Sequence, residues 1–173
     1  LSVYINSSDS TVYNKNFGLA NIENKTSIND KTIFRIFSMT KPITSIAMMI
    51  LLERGLIDLD TPIHKILPEF KEMKKVKVID KPIIKHLFHF EKKVENKITI
   101  FHLLTHTSGF YYNFSSQYRS LYKKYNKLIK AGFKTLKEFS VASSKLPLLF
   151  EPGTDFNYGI STSILARVIE VAS

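Results

Sequence analysis

Apolar and polar residues alternate at the start of the chain. Ser2-Val3-Tyr4-Ile5 and Thr11-Val12-Tyr13 each carry the two-residue period of a strand, and Asn6-Ser7-Ser8-Asp9-Ser10 between them is turn chemistry. Phe17-Gly18-Leu19-Ala20 leads into a polar loop over residues 21–30. Thr32-Ile33-Phe34-Arg35-Ile36-Phe37 is then an apolar, extended approach to Ser38. A two-strand hairpin is not stable alone, and the later sequence supplies no strong partner strands. The expectation is an incomplete chain.

From Ser38 the period changes to that of a helix running to about Arg54, with Pro42 in its first turn and Gly55 just past its end. Ile43, Ile46, Ala47, Ile50 and Leu51 follow helical spacing and are expected in the core, with Met48 and Met49 filling gaps. Asp58-Leu59-Asp60-Thr61-Pro62 predicts a short helix through Leu67, capped by Thr61 with Pro62 at its first position. Residues 68–97 read as a polar insertion, with Val76-Lys77-Val78-Ile79 as a short strand. Ile98-Thr99-Ile100 opens another helix, with Thr99 as cap and Phe101, Leu103 and Leu104 as core; His106-Thr107-Ser108-Gly109 ends it.

Beyond that turn, Ser116 to Lys130 places Tyr118, Leu121, Tyr122, Tyr125, Leu128 and Ile129 at helical spacing, a stripe expected in the core. Thr135 to Lys145 is a further helix. Glu151-Pro152-Gly153-Thr154 is a strong turn signal that delivers Asp155-Phe156-Asn157-Tyr158 into a loop. Ile164 to Val171 is a final amphipathic helix. No internal repeat or low-complexity segment interrupts the pattern.

Composition narrows the picture. The 173 residues are 44% hydrophobic and 12% aromatic, the profile of one globular domain. No apolar run is long enough to span a membrane. The chain opens with Leu1-Ser2-Val3-Tyr4, without a basic n-region, and a start at Leu rather than Met leads us to expect residues ahead of it. The compartment is therefore undetermined, an extracytoplasmic one included. The absence of cysteine excludes disulfides, thiolate chemistry and cysteine zinc sites. His86-x-x-His89 and His102-x-x-x-His106 have helix-face spacing, but no carboxylate completes a site, and neither a metal nor a cofactor is expected. The net charge of +10 raises nucleic acid as a partner. However, the lysines between Lys71 and Lys97 are mixed with Glu72, Asp80, Glu91 and Glu95, and no nucleic-acid-binding motif accompanies them. A solvated, Lys-rich surface is the better reading.

The candidate chemistry lies at Phe37-Ser38-Met39-Thr40-Lys41-Pro42. Residues i and i+3 share a helix face, which brings the Ser38 hydroxyl and the Lys41 amine within reach of one another. A serine becomes nucleophilic when a base takes its proton, and a partly desolvated lysine can give up its own charge to do so. Unpaired N–H groups at a helix start favour negative charge developing on oxygen. The S-x-x-K tetrad is weak by itself, since 17 serines and 21 lysines make a chance match expected. A second match, Ser120-Leu121-Tyr122-Lys123, lies inside an amphipathic Lys- and Tyr-rich stretch with no helix start behind it. Ser38 taken alone reads equally as a helix cap and as a nucleophile. His106 with Ser108 could be read as a catalytic pair; both sit on one tight turn without an acid, and backbone-pinning turn residues are the better reading.

Three stretches together carry more weight. They are Phe34 to Pro42 around Ser38 and Lys41, Ile98 to Gly109, and Pro152-Gly153-Thr154 with Phe156-Asn157-Tyr158. In this order and rough spacing, from near residue 1 to residue 173, they resemble the serine β-lactamase-like family. That family holds class C β-lactamases, D-alanyl-D-alanine carboxypeptidases and related esterases. The resemblance implies an α+β fold, an α/β sandwich beside a helical subdomain with the site in the cleft between them. Residues 1–37 would be the N-terminal strands of the sheet part, and residues 38–173 most of the helical subdomain, of one incomplete domain. It also implies that Ser38 is the acylated nucleophile, Lys41 its partner, and Tyr158 the tyrosine that acts with the lysine as general base and acid. A phenol serves near neutrality only where an adjacent cation stabilises its anion. The ordinary reading of Tyr158, a loop aromatic, is weaker because of the Pro-Gly-Thr lead-in.

The chain departs from the family pattern twice. Tyr158-Gly159-Ile160 has an apolar residue where class C enzymes carry the Asn that binds a substrate amide. This weakens a lactam-hydrolase reading and favours the esterase branch; the Y-x-N strings at Tyr4 and Tyr111 do not follow the Pro-Gly-Thr turn. The K-T-G or H-x-G strand, which supplies one cleft wall and a second oxyanion N–H, is not found, and truncation is the expected cause. The reading is a serine hydrolase forming an acyl-enzyme on Ser38, with a small ester or amide as substrate. The alternatives are a β-lactamase or D-Ala-D-Ala carboxypeptidase acting on a lactam or peptide, and a non-catalytic β-lactam- or peptidoglycan-binding module. Oligomeric state is not readable.

Overall fold

The computed structural model describes residues 1–77, 90–112, 119–130 and 132–173. The chain is mixed α+β and divides into two compact units, Leu1–Ser38 and Met39–Ser173. In the first unit, β1 (Ser2–Asn6) pairs antiparallel with β2 (Thr11–Asn16) in the register Val3 to Lys15 and Ile5 to Tyr13, with an irregularity at Ile5 and Asn6. The loop expected at residues 21–30 instead contains a second small hairpin, β3 (Leu19–Asn21) with β4 (Thr26–Ser27). Asn21 caps its turn by accepting from the Asn24 N–H at 2.7 Å, and Lys25 turns the chain with a φ of 53°. The approach over residues 33–36 carries no strand, contrary to the extended reading; Ile33 is 96% exposed and has no ladder partner to hold it.

The second unit is built on helices. A 3-10 turn, Phe37–Met39, leads the chain into α1 (Thr40–Glu53). Gly55, with a φ of 67°, ends α1 as the sequence predicts. Its N–H donates to the Leu52 carbonyl at 2.9 Å, and the Leu56 N–H donates to the Leu51 carbonyl at 3.0 Å, the paired bonds of a Schellman cap. The core face matches expectation at Leu51 and at the gap-filling Met48 and differs at the isoleucines. Met48 and Leu51 are the buried residues of α1, whereas Ile43, Ile46 and Ile50 lie on its exposed face with Met49. Apolar residues lie on more than one face of the helix, so spacing alone did not select the face that packs.

The predicted helix after Asp58 is two 3-10 turns, Ile63–Lys65 and Pro68–Phe70. Pro62 is extended and bridges Thr99, and the Ile63 N–H donates to the Ile98 carbonyl at 2.9 Å. The Thr61 carbonyl, which would accept the first bond of an α-helix, accepts instead from the Ile100 N–H at 3.2 Å. Thr61 is accordingly no helix cap; its hydroxyl accepts from the Asp58 N–H at 3.1 Å.

Within the polar insertion, β5 (Lys74–Lys77) pairs antiparallel with β6 (Phe90–Lys93). Val76 faces the core and exchanges backbone bonds with the Leu148 segment. Val78, Ile79, His86 and His89 lie outside the described residues. α2 (Ile100–Leu104) is capped by Thr99 as predicted, while Phe101 is exposed rather than core. α3 (Arg119–Lys130) buries Leu121 and Tyr125 and exposes Tyr122, so the aromatic stripe is only partly core; residues 116–118, Tyr118 among them, are outside the described set. α4 (Leu136–Ser143) is capped by the Thr135 side chain.

α5 (Ser161–Ala172) is the element on which α1, α2 and α4 pack. Ile164, Leu165 and Val168 are buried along that face, almost fully excluded from water. A buried bond between the Ser108 and Ser161 hydroxyls, 2.8 Å long, ties the turn after α2 to the start of α5. Both serines are fully buried, so each hydroxyl has to find its partner inside the protein.

Candidate active site

Ser38 is exposed at the end of the first unit, in the 3-10 turn and three residues ahead of Lys41 in the chain. The residue before it, Phe37, has a φ of 47°, a left-handed conformation that costs a bulky residue of order 1–3 kcal/mol. Met39 is the N-cap of α1, and its side chain makes no cap bond. Lys41, in the first turn of α1, and Tyr158, in the loop before α5, belong to the second unit, and the fold brings them together.

The Lys41 ammonium lies 4.7 Å from the centre of the Tyr158 ring and 5.9 Å from that of Tyr112. The two tyrosine rings are 5.8 Å apart and tilted by 52°. Burial by itself would lower the Lys41 pKa. The hydrogen bond with Tyr158, supported by the nearby Tyr112 oxygen, outweighs burial and holds the ammonium above the ordinary lysine value. The desolvation route to a neutral lysine is thus outweighed here, and Lys41 is a cation beside a phenol. Tyr112 was not singled out from sequence. Its only signal was the aromatic run Phe110-Tyr111-Tyr112 directly after the His106 to Gly109 turn.

The loop that presents Tyr158 is fixed from several sides. The Asn157 N–H donates to the His106 carbonyl at 3.0 Å, and the Asn157 side-chain amide donates to the Phe110 carbonyl at 2.9 Å. Gly159 passes so close to Phe110 that a Cβ there would lie 2.4 Å from the Phe110 carbonyl oxygen. Ile160, two residues after Tyr158, is 2% exposed in the core. Further back, the Glu151 carboxylate accepts from the Glu95 and Asn96 N–H groups at 2.7 and 2.6 Å and forms an ion pair with Lys75. Burial opposes charge on Glu151, but the Lys75 ammonium and the two N–H donors prevail and hold its pKa below the usual carboxylate value. The Gly153 N–H donates to the Thr107 carbonyl at 2.8 Å, which seats the Pro-Gly-Thr turn on the end of α2.

Among the described residues no group of three or more His, Asp or Glu side chains gathers to hold a metal. No helix among them is long and apolar enough to cross a membrane.

The Beta-lactamase family model matches residues 1–173. The esterase EstB of Burkholderia gladioli is 32% identical over 167 residues, covering 94% of this chain and 38% of EstB. In fold, the chain is similar to EstCE1, described as a hydrolase with promiscuous acyltransferase activity. The TM-score is 0.70 at 27% identity, over 94% of this chain and 39% of EstCE1. A penicillin-binding protein from Bacillus halodurans superposes with a TM-score of 0.68 at 26% identity, over 99% of this chain and 44% of that protein. The chain therefore spans about two fifths of the length of each of these three proteins. With its mixed α+β elements and these likenesses, the fold is of the β-lactamase/transpeptidase-like kind, and the chain belongs to the Beta-lactamase family.

Proposed function

We propose that the protein is a serine hydrolase that works through an acyl-enzyme on Ser38, with a small ester or amide as substrate. The observation that carries this reading is the Lys41 cation held 4.7 Å above the ring of Tyr158, three residues after a serine that directly follows a strained backbone position. The cation favours the phenolate form of Tyr158, which takes the proton of Ser38 as its oxygen attacks the acyl carbon. The C–O bond to the leaving group then breaks, and the departing oxygen takes the proton back from Tyr158. A water attacks the acyl-enzyme with Tyr158 again as base, and Ser38 leaves reprotonated. The similarity to the esterase EstB and to the hydrolase EstCE1 supports an ester as the scissile group. Residues 1–37 as sheet strands and 38–173 as helical subdomain of one domain is the organisation that accompanies this reading.

A second reading, β-lactamase or D-Ala-D-Ala carboxypeptidase, draws support from the likeness to the Bacillus halodurans penicillin-binding protein. The buried Ile160, in place of an amide-binding Asn, favours the ester.

The test is intact mass after incubation with a fluorophosphonate, on wild type, Ser38→Ala and Lys41→Ala, followed by turnover of a p-nitrophenyl ester by the full-length protein. A single adduct absent from Ser38→Ala and slowed in Lys41→Ala, with Ser38-dependent turnover, is expected. Adduct formation without turnover would instead favour a binding module, and no adduct in the full-length protein would sink the hydrolase reading.

A further inference from the structure

His106 occupies a backbone position that glycine usually takes. α2 ends at Leu104 with Thr105 as C-cap, and His106 follows with a φ of 57°. The Thr107 N–H donates to the His102 carbonyl at 3.0 Å and the His106 N–H to the Leu103 carbonyl at 3.5 Å. This is the same Schellman arrangement that ends α1, where the left-handed position is filled by Gly55. A histidine there costs more than a glycine because its Cβ crowds the backbone. The side chain it adds makes specific contacts. Its ring lies 5.0 Å from the Tyr158 ring at 36° and meets Phe156 edge-on at 6.2 Å. Its Nδ1 accepts from the Gly159 N–H at 3.4 Å, and its carbonyl accepts from the Asn157 N–H at 3.0 Å. One residue thus touches every member of the run 156–159.

From this geometry we infer that His106 is a positioning residue that holds the Tyr158 ring in place under the Lys41 ammonium, the inference resting on the hydrolase reading above only for its effect on rate. Two features fit. Burial, with Lys41 nearby, lowers the His106 pKa and keeps the imidazole neutral, so Nδ1 stays available as an acceptor. The left-handed backbone also fixes the direction in which the ring leaves the turn.

His106→Gly suits this backbone position and removes the ring; His106→Asn tolerates the same backbone and leaves a shorter acceptor for the Gly159 N–H. In the full-length protein, His106→Gly is expected to melt near wild type while kcat for a p-nitrophenyl ester falls roughly 10²-fold, the cost of a misplaced reacting group. KM should change little, and His106→Asn should recover part of the loss. A second measurement needs no turnover. In protein with 13C-labelled tyrosine, the Tyr158 signal is identified by its absence from Tyr158→Phe, and its cross-peak to the Lys41 side chain should vanish in His106→Gly. Retention of that cross-peak in His106→Gly overturns the inference whatever happens to kcat. If wild type shows no Ser38-dependent turnover, the hydrolase reading fails and the cross-peak still decides the role of His106.

Discussion

The Lys41 ammonium lies 4.7 Å above the ring of Tyr158, and its pKa is raised although burial pulls the other way. A lysine held above its ordinary 10.5 contributes stability that is complete below pH 10.5 and is lost as pH rises through the folded value. Chemical denaturation followed from pH 10.5 upward should therefore show an alkaline decline in wild type that is smaller in Lys41→Met. The same variant should lose ester hydrolysis by about 10²-fold or more, as expected for removing one partner of a general acid–base pair.

His102 gives the chain a second, acidic sensitivity. Its Nδ1 accepts from the Thr99 N–H at 3.2 Å while the Thr99 hydroxyl accepts from the His102 N–H at 3.4 Å, a capping box with histidine in the place of Glu or Gln. Burial lowers the His102 pKa, so its contribution is present above pH 6.5 and disappears as pH falls through the folded value. His102→Gln keeps an acceptor that does not titrate. Urea midpoints measured between pH 6.5 and pH 4.5 should fall less steeply in this variant than in wild type, with His106, which is shifted the same way, contributing to the slope that remains.

Glu151 should be among the costlier surface-proximal residues to remove. Truncation to alanine strands the half-buried Lys75 ammonium and two backbone N–H groups at once. A loss of about 3 kcal/mol in urea unfolding is expected, the order found when one member of a largely desolvated pair is deleted. Because its pKa is depressed, its stabilising effect should also fade as pH drops below 4.5. Equal stability of Glu151→Ala and wild type would remove the pair from any account of this loop.

Gly159→Ala tests the tightness of the tyrosine loop. The added Cβ would meet the Phe110 carbonyl and the Tyr111 Cα, which are backbone atoms with nowhere to rotate. A destabilisation of about 1–3 kcal/mol is expected, and Tyr158 beside it should be displaced enough to depress ester turnover. A variant with wild-type melting and wild-type kcat would show the loop to be more yielding than its packing implies.

Much of the second unit was legible in the sequence because its boundaries are set by local chemistry. Thr99, Thr135 and Gly55 are caps by residue type, and the structure uses each of them so. What escaped depends on tertiary partners. Pro62 looked like a helix start, yet pairing with Thr99 decides its conformation. The face of α1 could not be chosen because apolar residues lie on more than one side of it, and Met48 rather than Ile46 is buried. At the candidate site, Lys41 and Tyr158 were readable from motif order. Tyr112 was hidden because its approach to Lys41 comes from the path of the chain after the His106 turn, which no spacing encodes.

The anchor at Glu151 has a consequence for how this protein can vary. It grips the paired strands β5 and β6 from both sides, at Lys75 within β5 and at Glu95 and Asn96 just after β6. The turn leading to Tyr158 is thereby fastened to β5 and to the residues that follow β6. A change at Lys75, or in the backbone at Glu95 and Asn96, is thus also a change to the support of the tyrosine, although none of the three is near it in sequence.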